Sequence, residues 1–459
     1  MTERPTVLIM AAGQGTRMRS QLPKVLHPVC GQAMLGWVIG AAKQAGAGRI
    51  VCVTRPGDGV AAALPDGVES AEQREGEGTG AAVLAARDAL AESETAVILS
   101  GDHPLVSSDL IAGLVERHAA DGAAATLLTT TQLDPTAYGR VVRAADGSVE
   151  RIVETKDTAG VSAEELAIRE INIGTYAFAG PALLDALDRV DLADGERYLT
   201  GAVPILSAAG ERISAHTTDD TSSAMGVNTR ADLMAVARVA QQRILDAHAQ
   251  AGVGFAAPET ACVDVGVEIA PDATIETGVT LRGKTTIGAG SAIGPHTTAI
   301  DATIGDRASV PHSYLLECVV GDEASVGPFA YLRPGAKIGP RAKVGTFVEV
   351  KNSDVGPGAK VPHLSYIGDA DVGEGANVGA GNVTANYDGR DKHRTTIGAG
   401  ARTGVNTSFI APVSVGDGAY TGAGSVITDD VPERALGISR PEQRNVEGYA
   451  DKIEKEPGE

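Results

Sequence analysis

In the second half of the chain an isoleucine or valine followed by glycine returns every six residues, and no other feature limits the possible folds as strongly. Ile287-Gly288 is followed by Ile293-Gly294, Val320-Gly321 by Val326-Gly327, and Ile338-Gly339 by Val344-Gly345. The phase continues through Val355-Gly356, Val361-Pro362 and Ile367-Gly368, then shifts by one residue to Val372-Gly373 and Val378-Gly379. Such a period marks a stacked solenoid, in which no single repeat buries its apolar face alone. Each aliphatic is expected to point inward at a corner of a triangular coil, and the small residue after it permits the turn. Composition agrees: aromatics make up 3% of the chain and 57 of its 459 residues are glycine, so the interior must pack with small and β-branched side chains. A generic Gly-rich β-sandwich would not hold this phase. The region beyond about Gly252 reads as a parallel β-helix.

The first half follows another pattern. Short apolar runs at Val7–Met10, Ile50–Val53, Ala96–Ser100, Ala125–Thr130 and Ile173–Phe178 alternate with stretches of helical spacing such as Met34–Ala45 and Thr79–Leu90. This alternation implies a parallel or mostly parallel sheet covered on both faces, with ligands beyond the carboxyl ends of its strands. From Thr229 to about Gln250 one long helix is expected, with Leu233, Val236, Ala240, Ile244 and Ala247 at three- or four-residue spacing. The expected organisation is therefore an α/β domain over 1–228, a linking helix over 229–250 and a β-helix over 251–459. A charged, Gly/Pro-punctuated tail after about Asn445 is expected to fray.

A net charge of −20 argues against a nucleic-acid surface, which needs clustered lysine and arginine. Cys30, Cys52, Cys262 and Cys318 are scattered without CxxC spacing, so neither zinc nor a disulfide framework is indicated. No signal pattern opens the chain, and no apolar run approaches the ~20 residues that cross a bilayer. The expectation is a soluble, cytoplasmic protein without a membrane partner.

The chemistry of the first half concentrates after its first strand, in Met10-Ala11-Ala12-Gly13-Gln14-Gly15-Thr16-Arg17-Met18 and Pro23-Lys24. A buried strand runs into a side-chain-poor loop whose backbone N–H groups can close on an anion, and Arg17 and Lys24 offer the countercharge for a polyphosphate. The Walker spacing is absent, and G-x-G-x-x-G fails at Met18. By spacing alone an ordinary strand-to-helix turn is an equal reading. Ser100-Gly101-Asp102 puts a carboxylate at a strand end, suited to a divalent cation that bridges phosphates, or else to capping the next segment. Gly226-Val227-Asn228 offers a neutral oxygen to the same metal. Gln73 and the Gly78-Thr79-Gly80 turn suit a base edge, and Tyr138-Gly139-Arg140, Glu154 and Asn172 suit a sugar.

In the second half Arg333 and Lys351 place two cations on nearby coils, a natural phosphate clamp. His363 follows an inward-facing position, with Tyr366 three residues on. A lone histidine on a solenoid surface is more often inert, yet acyl transfer to an amine needs a base near pH 7. The period breaks between Val383 and Ile397 at Asn386-Tyr387-Asp388-Gly389-Arg390-Asp391-Lys392, which predicts a loop thrown off one face.

The pattern A-A-G-x-G-T-R-M…P-K resembles the signature of sugar-1-phosphate nucleotidylyltransferases, and proteins with the hexapeptide array are mostly acyltransferases, usually trimeric. Over nearly its full length the chain resembles the bacterial family of bifunctional N-acetylglucosamine-1-phosphate uridyltransferases / glucosamine-1-phosphate acetyltransferases. That resemblance implies a Rossmann-like α/β nucleotidyltransferase domain, a left-handed parallel β-helix of hexapeptide repeats, and a homotrimer. It implies that UTP and acetyl-CoA serve as co-substrates with Mg²⁺. Met10, Ala11, Ala12, Gly13, Lys24, Gln73, Gly78 and Thr79 would contact the uridine nucleotide, with Ser100 and Gly101 in the same nucleotide and sugar set. Gly139, Glu154 and Asn172 would contact the sugar, and Asp102 and Asn228 would hold magnesium. Catalysis would be shared by Arg17 and Lys24, which neutralise phosphate charge, and His363, the base for the attacking amine. Arg333, Lys351, Tyr366, Asn377 and Lys392 would bind glucosamine-1-phosphate. Ala380, Asn386, Tyr387, Val405, Ala423 and Arg440 would contact acetyl-CoA.

The chain departs from the family in two places. Glu77 and Ala81 flank the Gly-Thr-Gly turn where the family has a hydrophobic residue and a histidine. Val405, in Gly404-Val405-Asn406-Thr407, replaces a serine that hydrogen-bonds near the thioester or amine. A β-branched apolar side chain makes no such bond, and losing one donor of that kind costs on the order of 10²-fold in rate. These departures motivate an alternative: a paralogous nucleotidylyltransferase with altered substrate choice and a weak or inactive β-helix serving as a trimer scaffold.

Overall fold

A computed structural model describes residues 4–153, 161–193 and 195–453. The chain forms two compact units, Met1–Gln242 and Arg243–Glu459. In the first, a mixed sheet runs in the order Ile213–Thr217, Ala125–Thr130, Ile171–Phe178, Ala96–Ser100, Thr6–Met10, Arg49–Thr54 and Glu69–Glu72. Along this order the pairs are parallel except those of Ile171–Phe178, which lies antiparallel to both neighbours; Arg140–Arg143 joins the same strand antiparallel and pairs antiparallel with Val149–Val153.

Both faces of this sheet are buried, and the central strands show it residue by residue. Leu8 and Ile98 face a cluster containing Leu90, Leu183, Leu187 and Val203. Val7, Ile9, Val97 and Leu99 face the opposite cluster, with Leu35, Val38, Ile111 and Leu114. Alternate residues of a strand point to opposite faces, so a strand covered on both sides reads as a continuous apolar run.

The helical stretch expected over Thr79–Leu90 is two helices, Thr79–Leu84 and Arg87–Ala91. The break falls at Ala86, whose φ of −106° and ψ of 27° leave the helical region. Its N–H bonds the Val83 carbonyl three residues back rather than the one four back, so the turn tightens and the axis is interrupted. The long helix runs Arg230–Gln250, with Val236, Ala240 and Ile244 buried as expected. Ala247 is exposed, and Leu245 is the buried residue near that end instead. No helix among the described residues is long and apolar enough to cross a membrane.

In the second unit the short strands form three parallel sheets, of seven, ten and nine strands, with a further parallel pair of Tyr420–Thr421 and Leu436–Gly437. Every isoleucine and valine of the six-residue pattern is buried, from Ile287 to Val378. The residues before them, such as Lys337, Lys343 and Asp354, face outward and are exposed. Successive rungs advance 18 residues where Thr274 lies opposite Ala292 and 17 where Glu349 lies opposite Tyr366. The advance rises to 25 where Val383 lies opposite Ser408. The surplus is the inserted loop around Asn386–Lys392. Beyond Asn445 the exposed tail includes a short 3₁₀ turn, Ala450–Lys452, and positions 454–459 lie outside the described residues.

Candidate active sites

Register brings the first site together. Met10 lies opposite both Val53 and Ser100, so three parallel strands end side by side. The next strand joins them, because the Gln73 N–H donates to the Thr54 carbonyl at 2.9 Å. The segments leaving these strand ends enclose a cavity of about 270 Å³. Its walls include Met10, Ala12, Gly13, Lys24, Gln73, Gly78, Thr79, Ser100 and Asp102. Ala11 and Gly101 lie behind this wall, their N–H groups donating to the Val53 and Met10 carbonyls at 2.9 Å each. Gly15 has a φ of 61°, and a Cβ there would lie 2.6 Å from the Lys24 Cβ. The glycine is thus what lets Lys24 fold back against the loop. Gly78 is equally constrained, with a φ of 95° and the Arg197 carbonyl oxygen 2.5 Å from where a Cβ would be.

At the cavity floor the Lys24 ammonium is ion-paired with the Asp102 carboxylate, and both side chains are largely buried. Lys24 Nζ also lies 3.4 Å from Asn228 Oδ1, and the exposed Arg17 donates to that oxygen at 3.0 Å. Asn228 is held in place from two sides. The Val227 N–H donates to the Asp102 carbonyl at 3.0 Å. The Asp232 carboxylate accepts from the Asn228 and Thr229 N–H groups at 3.0 and 2.8 Å, while Thr229 Oγ1 accepts from the Asp232 N–H. A cap on the long helix therefore fixes the neighbouring amide.

Burial pushes the Asp102 carboxyl up, but the charges of His103 and Lys24 and hydrogen bonds from Lys24 and Ser100 outweigh it and hold the group below the usual carboxylate range. Asp102 and Asn228 thus present two oxygens to one cationic group, at present the Lys24 ammonium. One ionised carboxylate and one neutral amide oxygen suit a hard divalent ion whose remaining positions are filled by water and substrate phosphates.

The residues expected at the sugar are only partly united. The Asn172 N–H donates to the Gly139 carbonyl at 2.9 Å, and the Asn172 side chain bonds Tyr176 at 2.6 Å. Neither Gly139 nor Asn172 lines the cavity described above, and Glu154 lies outside the described residues. Arg140 is buried and donates to the Pro135, Tyr138 and Leu166 carbonyls, which makes it a support for this segment rather than a ligand group. Arg55, Glu196 and Tyr198 also line the cavity and went unremarked in the sequence. Arg55 had a readable signal, a basic residue just past a strand end. Glu77 is exposed and outside the cavity lining. Its carbonyl accepts from the Arg197 N–H at 2.8 Å.

The second site lies on the β-helix. Arg333 donates to Glu349 at 2.8 Å, with its guanidinium 6.0 Å from the Tyr331 ring centroid. One rung on, Lys351 Nζ lies 3.0 Å from Asp369 Oδ2. Burial pulls the Lys351 ammonium down, but the Asp369 hydrogen bond and charge reverse this and raise it overall. Lys392 lies on the inserted loop, where its backbone pairs with Tyr387. Tyr366 lies opposite Glu349 in register, whereas His363 ends a strand of another sheet, opposite Thr346, and is exposed.

Asn386 donates to Asp369, and Tyr387 Oη donates to the Gly389 carbonyl at 2.7 Å. The loop is tied by Asp388, whose carboxylate accepts from the Arg390 and Asp391 N–H groups and pairs with His393. The Asp391 N–H, His393 and the Arg390 N–H hold its carboxyl at about 2. Ala380 receives the Asn406 N–H at 2.7 Å, and Arg440 donates to the Ala423 carbonyl at 2.8 Å. Asn377 takes part through its backbone, between Lys360 and Arg402. Val405 is 48% exposed, and its side chain supplies no polar group.

The sequence reading missed Asp369 and Asn352. Asp369 is 5% exposed with a φ of 49°, and its carboxylate gathers Lys351, Asn352 and Asn386.

Family models match both halves: a MobA-like NTP transferase domain over residues 7–204, and a bacterial transferase hexapeptide of six repeats over 317–352. The chain is 45% identical to the bifunctional protein GlmU of Streptomyces avermitilis, over 98% of this chain and 95% of the relative. It is 46% identical to that of Kineococcus radiotolerans over 100% and 94%, and 42% identical to that of Enterococcus faecalis over 97% and 98%. With one relationship spanning both compact units and both sites, the chain belongs to the GlmU family of bifunctional proteins.

Proposed function

We infer that this enzyme makes UDP-N-acetylglucosamine in two steps, acetylating glucosamine-1-phosphate on the β-helix and uridylylating the product in the α/β unit. The observation that carries the reading is the convergence of Lys24, Asp102 and Asn228 at the carboxyl ends of neighbouring strands, in a chain whose other half holds a separate cationic site.

In the uridylyl step a phosphate oxygen of N-acetylglucosamine-1-phosphate attacks the α-phosphorus of UTP. The bond to the bridging oxygen breaks and pyrophosphate leaves. The attacking group is already an anion, so no protein base is required. Lys24 and Arg17 neutralise charge on the phosphates, and the Gly13–Gly15 loop offers backbone N–H groups. Asp102 and Asn228 would hold a magnesium ion, which when bound supplies further charge neutralisation. Lys24, paired with Asp102 in this structure, would then turn to the phosphates. Gln73, Gly78 and Thr79 take the uridine, while Gly139, Asn172 and Glu154 take the sugar.

In the acetyl step the amine of glucosamine-1-phosphate attacks the thioester carbonyl of acetyl-CoA. His363 accepts the amine proton, the C–S bond breaks, and the thiolate of coenzyme A is protonated as it leaves. Arg333, Lys351 and Lys392 clamp the sugar phosphate, with Tyr366 and Asn377 beside it. Ala380, Asn386, Tyr387, Val405, Ala423 and Arg440 line the acetyl-CoA path. A homotrimer, acting in the cytoplasm, completes the proposal.

The test is to follow pyrophosphate release from UTP and thiol release from acetyl-CoA in one preparation. Turnover of both supports the reading. Pyrophosphate release without thiol release would reduce the β-helix to a scaffold.

A further inference from the structure

The buried carboxylate of Asp369 has no part in the chemistry above, yet it touches both halves of the second site. It occupies a corner of the coil with Asn352 one rung below and Asn386 one rung above. Asn352 donates to its Oδ1 at 2.6 Å, while Lys351 and Asn386 both donate to Oδ2. The backbone of the same residue is engaged too. Its N–H donates to the Lys351 carbonyl at 3.0 Å, and its carbonyl accepts from the Thr395 N–H at 3.2 Å. The inserted loop thus leaves the coil at Asn386 and returns at Thr395 with both ends tied to one residue. The His393 N–H closes the neck on the Asn386 carbonyl at 2.9 Å.

An ionised carboxylate only accepts hydrogen bonds, so it fixes which way the Asn386 amide points. The NH₂ must face Asp369, and the amide oxygen is left on the other side as an acceptor. Lys351, held by the same oxygen, is denied the freedom of a long flexible side chain.

We propose that Asp369 is a positioning residue for acetyl transfer: it sets the Lys351 ammonium against the sugar phosphate and the Asn386 amide oxygen toward acetyl-CoA, and anchors the inserted loop between them. The inference rests on the acetyltransferase reading of the β-helix. It predicts that the two substrates are registered to each other through one carboxylate.

Asp369→Asn keeps the shape and removes the charge. With this variant kcat/KM for acetyl transfer falls about 100-fold, the size of effect expected when a reacting group is misplaced by an ångström. KM for glucosamine-1-phosphate rises about tenfold within that loss, as an unheld Lys351 grips phosphate less well. The alkaline limb of kcat/KM moves to lower pH, because burial then acts on Lys351 without its partner. Uridylyl transfer on the same chain is unchanged and reports that the α/β unit is folded, and a melting temperature within a few degrees of the parent reports the same of the β-helix. Adding Asp369→Asn to Lys351→Ala lowers activity by less than the two losses combined.

An Asp369→Asn enzyme within twofold of the parent, or one whose uridylyl transfer and melting temperature collapse together, would overturn the proposal. So would an unmoved pH profile. A parent enzyme that releases no thiol from acetyl-CoA would overturn the underlying reading first, before any variant is made.

Discussion

Each site contains a lysine paired with a buried aspartate, Lys24 with Asp102 and Lys351 with Asp369. The two pairs are built for opposite purposes. Asp102 lines an open cavity at a strand end, with Ser100, His103 and the ammonium of Lys24 as partners. Asp369 sits in a coil corner, saturated by Lys351 and two asparagine amides, with its own backbone engaged in the coil. The first carboxylate has a single ammonium to release, while the second cannot exchange anything without releasing a loop. A strand end leaves room for ligand exchange, and a solenoid corner supplies rigid registration.

The largest expected effects separate the halves outright. His363→Ala lowers acetyl transfer about 10³-fold, the range for loss of a general base, and leaves uridylyl transfer intact. Steady-state thiol release measures the first and pyrophosphate release the second. Asp102→Asn lowers uridylyl transfer about 10²–10³-fold and spares acetyl transfer, with higher magnesium giving little recovery because the charged oxygen is gone.

A smaller effect in the opposite direction is expected at Val405. Val405→Ser adds a hydrogen-bonding group at the position proposed for acetyl-CoA and raises acetyl turnover about tenfold, less than the roughly 10²-fold worth of a fully preorganised donor. No change would mean that another group already serves there.

The smallest effect sharpens the carboxylate comparison. Burial raises the Asp369 carboxyl, but hydrogen bonds from Asn352, Lys351 and Asn386 and the charge of Lys351 hold it below its ordinary value of 3.8. A depressed carboxyl stabilises the fold above the ordinary value, and that stability is lost as pH falls through the folded value. The melting temperature of Asp369→Asn therefore lies about 2–4 °C below that of the parent near neutral pH. The gap closes on acidification below 3.8, and thermal scans across that range follow it. The Asp388 turn, with its carboxyl held at about 2, persists through the same range.

The solenoid was legible because its signal repeats: each of Ile287 to Val378 in the pattern is a separate instance of one rule, and all are buried. The central strands were legible because burial on both faces removes the polar residues that would blur them. The continuous helix expected over Thr79–Leu90 failed because alanine-rich sequence carries no marker for the break at Ala86. Asp369 was invisible for a different reason. Its partners Lys351, Asn352 and Asn386 are 17 or 18 residues away in sequence, one rung of the coil, and nothing local marks an aspartate that accepts across rungs. Arg55 sits at a strand end as Asp102 does, and the same reasoning applied there would have found it. Glu154, expected at the sugar, lies outside the described residues.

The most direct test of two independent chemistries on one chain is to measure pyrophosphate and thiol release side by side for the parent, Lys24→Ala and His363→Ala. The account predicts that Lys24→Ala loses only pyrophosphate release and His363→Ala only thiol release. Parallel loss of both activities in either variant would contradict it.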